Sequence, residues 1–513
     1  MSEEQDKFEK RRKEAEKRKK KLQKMQNSKV KPGTKRALGI AGGSILAILL
    51  VAVIVVANAG FTRRMVTALE VGDQKVSSAE FSYYYVQQAL STYNMYYQYT
   101  GGSYIPFDTG KSLNKQKYSD TQTWEDYFVE SAVTAVQNIK TLVLAAQAEG
   151  FTLSESGKAA VESTMTSLAT QATQQKVSLD RYLTAIYGVG MNENLMRSIQ
   201  LDYQLAMEYE DDLKARPEYT TDELEDYYQN TVKDTYTYVD IRYMSFNKVE
   251  ATDSTEGKTV EQAKAEAEEF IDGIISEEKY SERVIEVKTE NAKKSDDYDP
   301  TKEITDNSKR TAVSAGTLKS LDANLGEWAF ADGRAAGDVA VVENSSGTGY
   351  FAVYMVTPAY RYDYHTMDVR QIYVKVEDTS DEEEMATAKK RAEDLLAQWK
   401  SGAATEDSFA ELANQESDLK SDGGLAQRVT KTDDAVGQWI FDSSRKPGDT
   451  AVVESTAGYH VLYMVGEDQA YWEIQVEAAK RNADYNETYQ ALQDQYGTVV
   501  RHDFGIALKS KPF

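Results

Sequence analysis

Few residues in this chain are equipped for side-chain chemistry, and their types narrow the field. The 513 residues include no cysteine, which excludes disulfides, thiolate metal sites and cysteine nucleophiles. His365, His460 and His502 are the only imidazoles. A multi-histidine metal centre is therefore not expected, and imidazole catalysis has three candidates. His460 closes the run Gly458-Tyr-His460 ahead of an apolar stretch, where a lone histidine can also serve as a hydrogen-bonded packing residue. Gly257-Lys-Thr259 lacks the upstream glycine of a phosphate-binding loop. No Gly-x-Ser-x-Gly elbow occurs. The acidic run Asp381-Glu-Glu-Glu384 reads as a helix N-terminus, where negative charge is favourable, rather than as a calcium loop.

The elements around His460 occur twice. Leu325 to Val356 and Val436 to Val465 share one pattern, in which Trp328 pairs with Trp439, Phe330 with Phe441, Gly337 with Gly448 and Tyr350 with Tyr459. Asp240-Ile-Arg-Tyr-Met matches Asp368-Val-Arg-Gln-Ile. Between these lie helical stripes of equal spacing, Ala263, Ala267, Phe270, Ile271, Ile274 and Ala388, Ala392, Leu395, Leu396, Trp399. Each repeat runs strand, long helix, further helices, Gly-Asp turn and final hairpin, over 236–358 and 366–467. Recurrence of Trp328 and Trp439 at equal positions points to fold maintenance more than to ligand contact.

Upstream, Thr67–Val76 reads as a strand pair turning at Gly72-Asp73. Capping boxes at Ser77–Glu80 and Thr220–Glu223 open helices, and helical patterns cover Trp124–Glu149, Ser154–Gln175, Ser178–Tyr187 and Asn192–Lys214. Residues 66–235 are thus expected to be a mostly helical domain. The first of these helices runs through Phe81, Tyr84, Tyr85 and Ala89, and tyrosines crowd this region, at 83, 84, 85, 93, 96, 97 and 99; they suit half-buried helix packing or an aromatic groove for unfolded chains. A last helix, Tyr471–Tyr496, ends before Gly497, and the segment 468–513 could pack back onto the helical domain.

Charge sets the topology. Residues 1–36 hold 15 Lys/Arg against 6 Asp/Glu, while the whole chain carries −23. So acidic a body argues against nucleic-acid binding. Residues 37–62 contain no charge and are long enough to span a bilayer. The basic tail 1–36 places the N-terminus in the cytoplasm. The expectation is a single-pass cell-membrane protein, with 37–62 as signal anchor and the bulk of the chain extracytoplasmic.

The second repeat resembles a parvulin-type peptidyl-prolyl isomerase domain. The residues that carry the resemblance are Val369-Arg-Gln-Ile-Tyr-Val374, Ser408-Phe-Ala-Glu-Leu-Ala413, Ser417-Asp418, Gly423-Gly-Leu425, Gly448-Asp449 and Gly458-Tyr-His460. The first repeat looks like a diverged copy. The helical domain, with Val71-Gly-Asp-Gln-Lys-Val76 at its opening and Thr220–Tyr228 at its exit, is similar to the N-terminal domain of SurA/PrsA-type foldases. The resemblance implies an α+β architecture with a transmembrane helix, a helical chaperone lobe and two tandem parvulin-like domains. It implies unfolded or partly folded secreted polypeptides with X–Pro segments as partners, and no cofactor or metal.

Carried over by position, the resemblance makes His460 the second family histidine, Ser455 the nearby hydroxyl, and Gln371 the occupant of the first histidine position. Asp418 lies beside the family's Asp/Cys position, which holds Leu419. Val436, Trp439 and Phe441 are the candidates for the proline-pocket wall. In the first repeat the histidine positions hold Tyr243 and Phe351, so that copy is expected to be inactive. Three roles compete: an isomerase-foldase, a non-catalytic holdase with degenerate parvulin domains, and a structural surface protein.

Overall fold

The computed structural model describes Lys13, Glu16, Lys17 and Lys20, and residues 60–252, 257–294, 298–419 and 421–513. The rest of the 1–36 tail, and the expected span 37–62 as far as residue 59, lie outside the described residues. Among the described residues, no helix is long and apolar enough to cross a membrane. The chain divides into two compact units, one of residues up to Arg216 together with Tyr485–Phe513, the other Pro217–Asp484.

The first unit is mainly helical. Thr67–Val71 pairs antiparallel with Gln74–Ser77, and on its other edge with Val499–Arg501. Helices Ser78–Thr100, Trp124–Glu149, Glu155–Gln174, Leu179–Tyr187 and Glu193–Ala215 follow; the last four lie within a residue or two of the sequence expectation, while the first runs on past Ala89 to Thr100. Each is started by a side-chain cap, from Ser77, Thr123, Ser154, Ser178 and Asn192. One expectation changes. Ser77 caps its helix, but no reciprocal box forms, and Glu80 instead meets the buried Lys140 at 2.8 Å. Asp202 reaches the same ammonium at 2.6 Å. Of the crowded tyrosines, Tyr84 and Tyr85 are buried, whereas Tyr97 and Tyr99 are exposed.

The second unit holds two four-stranded antiparallel sheets with one strand order. In the first sheet the order is Lys309–Ser314, Tyr238–Asn247, Gly349–Tyr360, Val339–Glu343; in the second it is Leu425–Val429, His365–Lys375, Gly458–Ala470, Thr450–Ser455. Helices Val260–Ile271 and Glu277–Ala292 pack on one face of the first sheet. Glu382–Ser401 and Glu406–Glu416 pack equivalently on the second.

The likeness extends to individual contacts. Ala312 and Arg428 both take left-handed backbone angles, at φ 52° and 53°, and each donates its N–H to an aspartate on the central strand, Asp240 at 2.7 Å and Asp368 at 2.8 Å. Arg242 bonds Glu277, and Arg370 bonds Glu406. Gly337 and Gly448 sit at φ 91° and 90°, and each N–H reaches a methionine carbonyl of the neighbouring strand at 2.8 Å. The guanidinium of Arg334 covers Trp328, and that of Arg445 covers Trp439, at 4.5 and 4.9 Å.

Candidate functional site

The strand His365–Lys375 alternates its side chains between two environments, as a pleated strand must. Ile372 and Val374 face the helices Glu382–Ser401 and Glu406–Glu416 in one apolar cluster. Val369, Gln371 and Tyr373 therefore point to the opposite face. On the neighbouring strand, Tyr459 and Val461 join the helix side, which turns His460 and Leu462 to the same face as Gln371. The register sets Tyr373 across from His460 and Gln371 across from Leu462.

Three of the sequence-derived residues meet there. His460 Nδ1 lies 2.9 Å from Gln371 Oε1, and His460 Nε2 lies 3.2 Å from Ser455 Oγ. Ser455 is brought in by the hairpin from Thr450–Ser455 into Gly458–Ala470, and its hydroxyl also lies 3.1 Å from the Gly458 carbonyl. Bond logic orders the protons. An amide oxygen only accepts, so Nδ1 carries the hydrogen and Nε2 holds a lone pair; that lone pair and the Gly458 carbonyl compete for the one hydrogen of the Ser455 hydroxyl. Burial pushes the His460 imidazole below its ordinary pKa, against the opposing pull of the Asp434 carboxylate. The site is thus a neutral hydrogen-bonded relay.

Beside the relay, Val436, Trp439 and Phe441 pack with Val369, Ile440, Leu462 and Met464 in a second apolar cluster. The short helix Ala435–Ile440, capped by Asp434, supplies this wall. All three pocket candidates therefore belong to the cluster that continues the His460 face. Trp439 is covered by Arg445, which also bonds its carbonyl at 3.3 Å, so much of its ring is committed to packing.

Asp418 is not in the relay. Its carboxylate accepts from Lys375 N at 2.9 Å and Arg391 Nη1 at 3.0 Å, and its own N–H bonds the Tyr373 carbonyl. These bonds tie the loop to the strand end. Leu419, at the neighbouring position, is exposed. Sequence reasoning missed Tyr373, whose ring lies 4.8 Å from the imidazole and whose hydroxyl donates to the Ala457 carbonyl at 2.6 Å. Alternation two residues beyond Gln371 was the available signal. It missed Asp434 as well, the charge acting on His460.

At the equivalent place in the first sheet, Tyr243 and Phe351 meet edge-on with centroids 5.6 Å apart. They join Ile241, Val353 and Met355 in an apolar cluster. Rings fill the place where the second sheet has polar groups.

Comparison with known proteins agrees with the second sheet's reading. The family model "Rotamase: PPIC-type PPIASE domain" matches residues 372–466. No curated protein matches the chain. Among solved structures, the peptidylprolyl isomerase PrsA from Bacillus anthracis is 18% identical, covering 28% of this chain and 64% of that one, with TM-score 0.17. PrsA from Bacillus cereus is 18% identical over 26% of this chain and 49% of that one, with TM-score 0.17. PrsA from Bacillus subtilis is 21% identical over 26% and 50%, with TM-score 0.18. The chain spans about half to two thirds of the length of these relatives. Sheet, helices and motif residues of the 372–466 region thus coincide with the span matched by the PPIC-type peptidyl-prolyl isomerase family, and the parvulin resemblance read from the sequence stands.

Proposed function

We propose that the chain is a membrane-anchored foldase that acts on extracytoplasmic polypeptides and rotates X–Pro bonds on the second sheet. The observation that carries this reading is the Gln371–His460–Ser455 relay lying against an apolar wall. Rotation about an X–Pro bond meets a barrier of ~18–20 kcal/mol from lost amide resonance. Lowering it requires no covalent bond. Val436 and Phe441, half-buried and backed by the buried Leu462, hold the proline ring, and the relay offers polar partners to the twisted amide, whose carbonyl and nitrogen are no longer conjugated. The first sheet, with Tyr243 and Phe351 in place of polar groups, binds or spaces polypeptide without isomerising it. The uncharged segment 37–62 and the basic tail before it support the anchor and its orientation.

The deciding experiment is proline-limited refolding of a reporter protein by the full chain. Acceleration that falls at least about tenfold in His460→Ala, the scale of one lost transition-state hydrogen bond, agrees with the proposal. Full activity in that variant refutes catalysis at this site. A second reading, a holdase without isomerase activity, is favoured by one observation: Asp418 is bound to Arg391, leaving Gln371 and the exposed Leu419 where the family pattern has polar catalytic positions. It predicts suppression of client aggregation that His460→Ala leaves unchanged.

A further inference from the structure

The first described turn of the helical unit is inside out. Phe61–Met65 is a short helix introduced by Gly60 in the left-handed region, at φ 71°. Its two apolar side chains stand four residues apart and so on one helix face. Both are in solvent, Phe61 at 52% and Met65 at 69% exposure. Its two cations turn inward instead. Arg63 Nη1 donates to Ser510 Oγ at 2.8 Å, and Arg64 Nη1 donates to the Gly190 carbonyl at 3.3 Å. A water-facing surface helix would show the opposite pattern.

The turn is also fixed in place. A Cβ on Gly60 would lie 2.3 Å from Gly190 N, so the two backbones touch where the chain enters the unit. Gly190 itself, at φ 108°, would push a Cβ to 2.9 Å from Ala79 at the start of Ser78–Thr100. The direction in which Phe61 and Met65 point is therefore set by the body of the unit. The uncharged run from residue 37 continues through Gly60 to Thr62, so Phe61 lies among its last residues and Met65 just beyond it.

We infer that Phe61 and Met65 form a lipid-contacting face that seats the helical unit on the bilayer surface. The occupant is the apolar boundary of the outer leaflet, chosen by where the uncharged segment ends and by the exposure of two large apolar side chains at that point. Arg63 and Arg64 are held by neutral partners, a hydroxyl and a carbonyl, and keep their charge, so anionic headgroups can strengthen the contact but the face itself is the apolar pair Phe61 and Met65. This inference rests on the proposed anchor and adds to it. An anchor alone tethers the unit, whereas this face fixes its orientation to the membrane.

The lack of cysteine makes a clean test possible. The full chain is reconstituted into phosphatidylcholine vesicles as three single-cysteine variants, Phe61→Cys, Met65→Cys and Tyr99→Cys, each carrying an environment-sensitive fluorophore. Tyr99 is 92% exposed. It lies about 25 Å along Ser78–Thr100 from Ser82, which bonds the Ser510 backbone beside Arg63. Expected in phosphatidylcholine alone are blue-shifted emission and quenching by spin-labelled lipid at 61 and 65, at least about threefold above that at 99. Alkaline extraction is run alongside. Vesicle-retained chain with labels at 61 and 65 as water-exposed as at 99 overturns the inference and leaves the anchor standing. Quenching that appears only with anionic lipid overturns it in favour of a charge-driven contact. Release of the chain by alkali overturns both.

Discussion

His460 is held neutral, and its partners say how. Gln371 offers an oxygen to Nδ1 but no charge, burial disfavours the imidazolium, and Asp434 opposes only in part. A histidine whose folded pKa is depressed binds protons less readily than in the unfolded chain. Stability from this group is therefore complete above the ordinary histidine range and falls as pH drops below about 6.5. The proposed isomerase activity should hold to lower pH in a pH–rate profile than an ordinary imidazole would allow, since burial favours the neutral form. Gln371→Glu sets a carboxylate beside Nδ1 and should move the His460 midpoint upward, by about one pH unit or more. With three histidines in the chain, an NMR titration reads this directly, and an unmoved midpoint would show that the 2.9 Å contact does not govern the proton. Ser455→Ala should keep the fold, because the hairpin pairing of Ser455 with Gly458 is made by the backbone, yet it should slow refolding of a proline-limited reporter. An equal rate in that variant removes the hydroxyl from the mechanism. The sequence made His460, Ser455 and Gln371 visible through a motif. It hid Tyr373 because tyrosine on a strand reads as packing. Asp418 it brought forward by proximity in the chain, which says nothing of the Arg391 that claims its carboxylate.

At the level of elements, the two sheets carry the same irregularities, and these separate what holds the architecture from what does chemistry. The aspartate on each central strand captures the N–H of a residue in the left-handed region, a conformation costing roughly 1 kcal/mol for a side-chain-bearing residue. Their loads differ. Asp240 also accepts from Thr357 Oγ1 at 2.9 Å and Tyr360 Oη at 3.1 Å, whereas among the described residues the Asp368 carboxylate has the one bond to Arg428. Asp240→Ala should therefore destabilise by about 2–3 kcal/mol and Asp368→Ala by about 1 kcal/mol. Equal shifts in thermal unfolding of the two variants would contradict this account. Helices such as Trp124–Glu149 and Tyr471–Tyr496 were legible to the residue, because their stripes are long; a cap opens the first, and glycine follows both. The Ser77–Glu80 box was half legible. Its local half formed, and a lysine sixty residues away took the other. The three-residue strand Val499–Arg501 was not legible, since so short a run has no periodicity to read.

Taken whole, the chain places one unit inside another in sequence. Everything from Pro217 to Asp484 lies between the two segments that make the helical unit. The helix Tyr471–Tyr496 is shared, its first part belonging to one unit and its last to the other. The returning segment is built into the helical unit's fabric. Val499–Arg501 adds an edge strand to Thr67–Val71, Arg501 makes a two-pronged ion pair with Glu130 at 2.6 and 2.7 Å, and Lys509 meets Glu125 at 2.7 Å. Closing a loop of more than four hundred residues costs little beyond a shorter one, since the entropy grows only with the logarithm of length. The strand and its ion pairs need only modest energy to hold it, and removing them should act on one unit alone. Ending the chain after Gly497 should lower the stability of the helical unit by roughly 2 kcal/mol or more, while the two sheets of Pro217–Asp484 keep theirs. Hydrogen exchange on the chain ended at Gly497, compared with the full chain, separates the two. Faster exchange in Thr67–Val71 and Trp124–Glu149, with unchanged protection in His365–Lys375 and Gly458–Ala470, is the expected outcome. Protection lost in both sets at once would mean that the returning segment serves the whole molecule rather than its helical host.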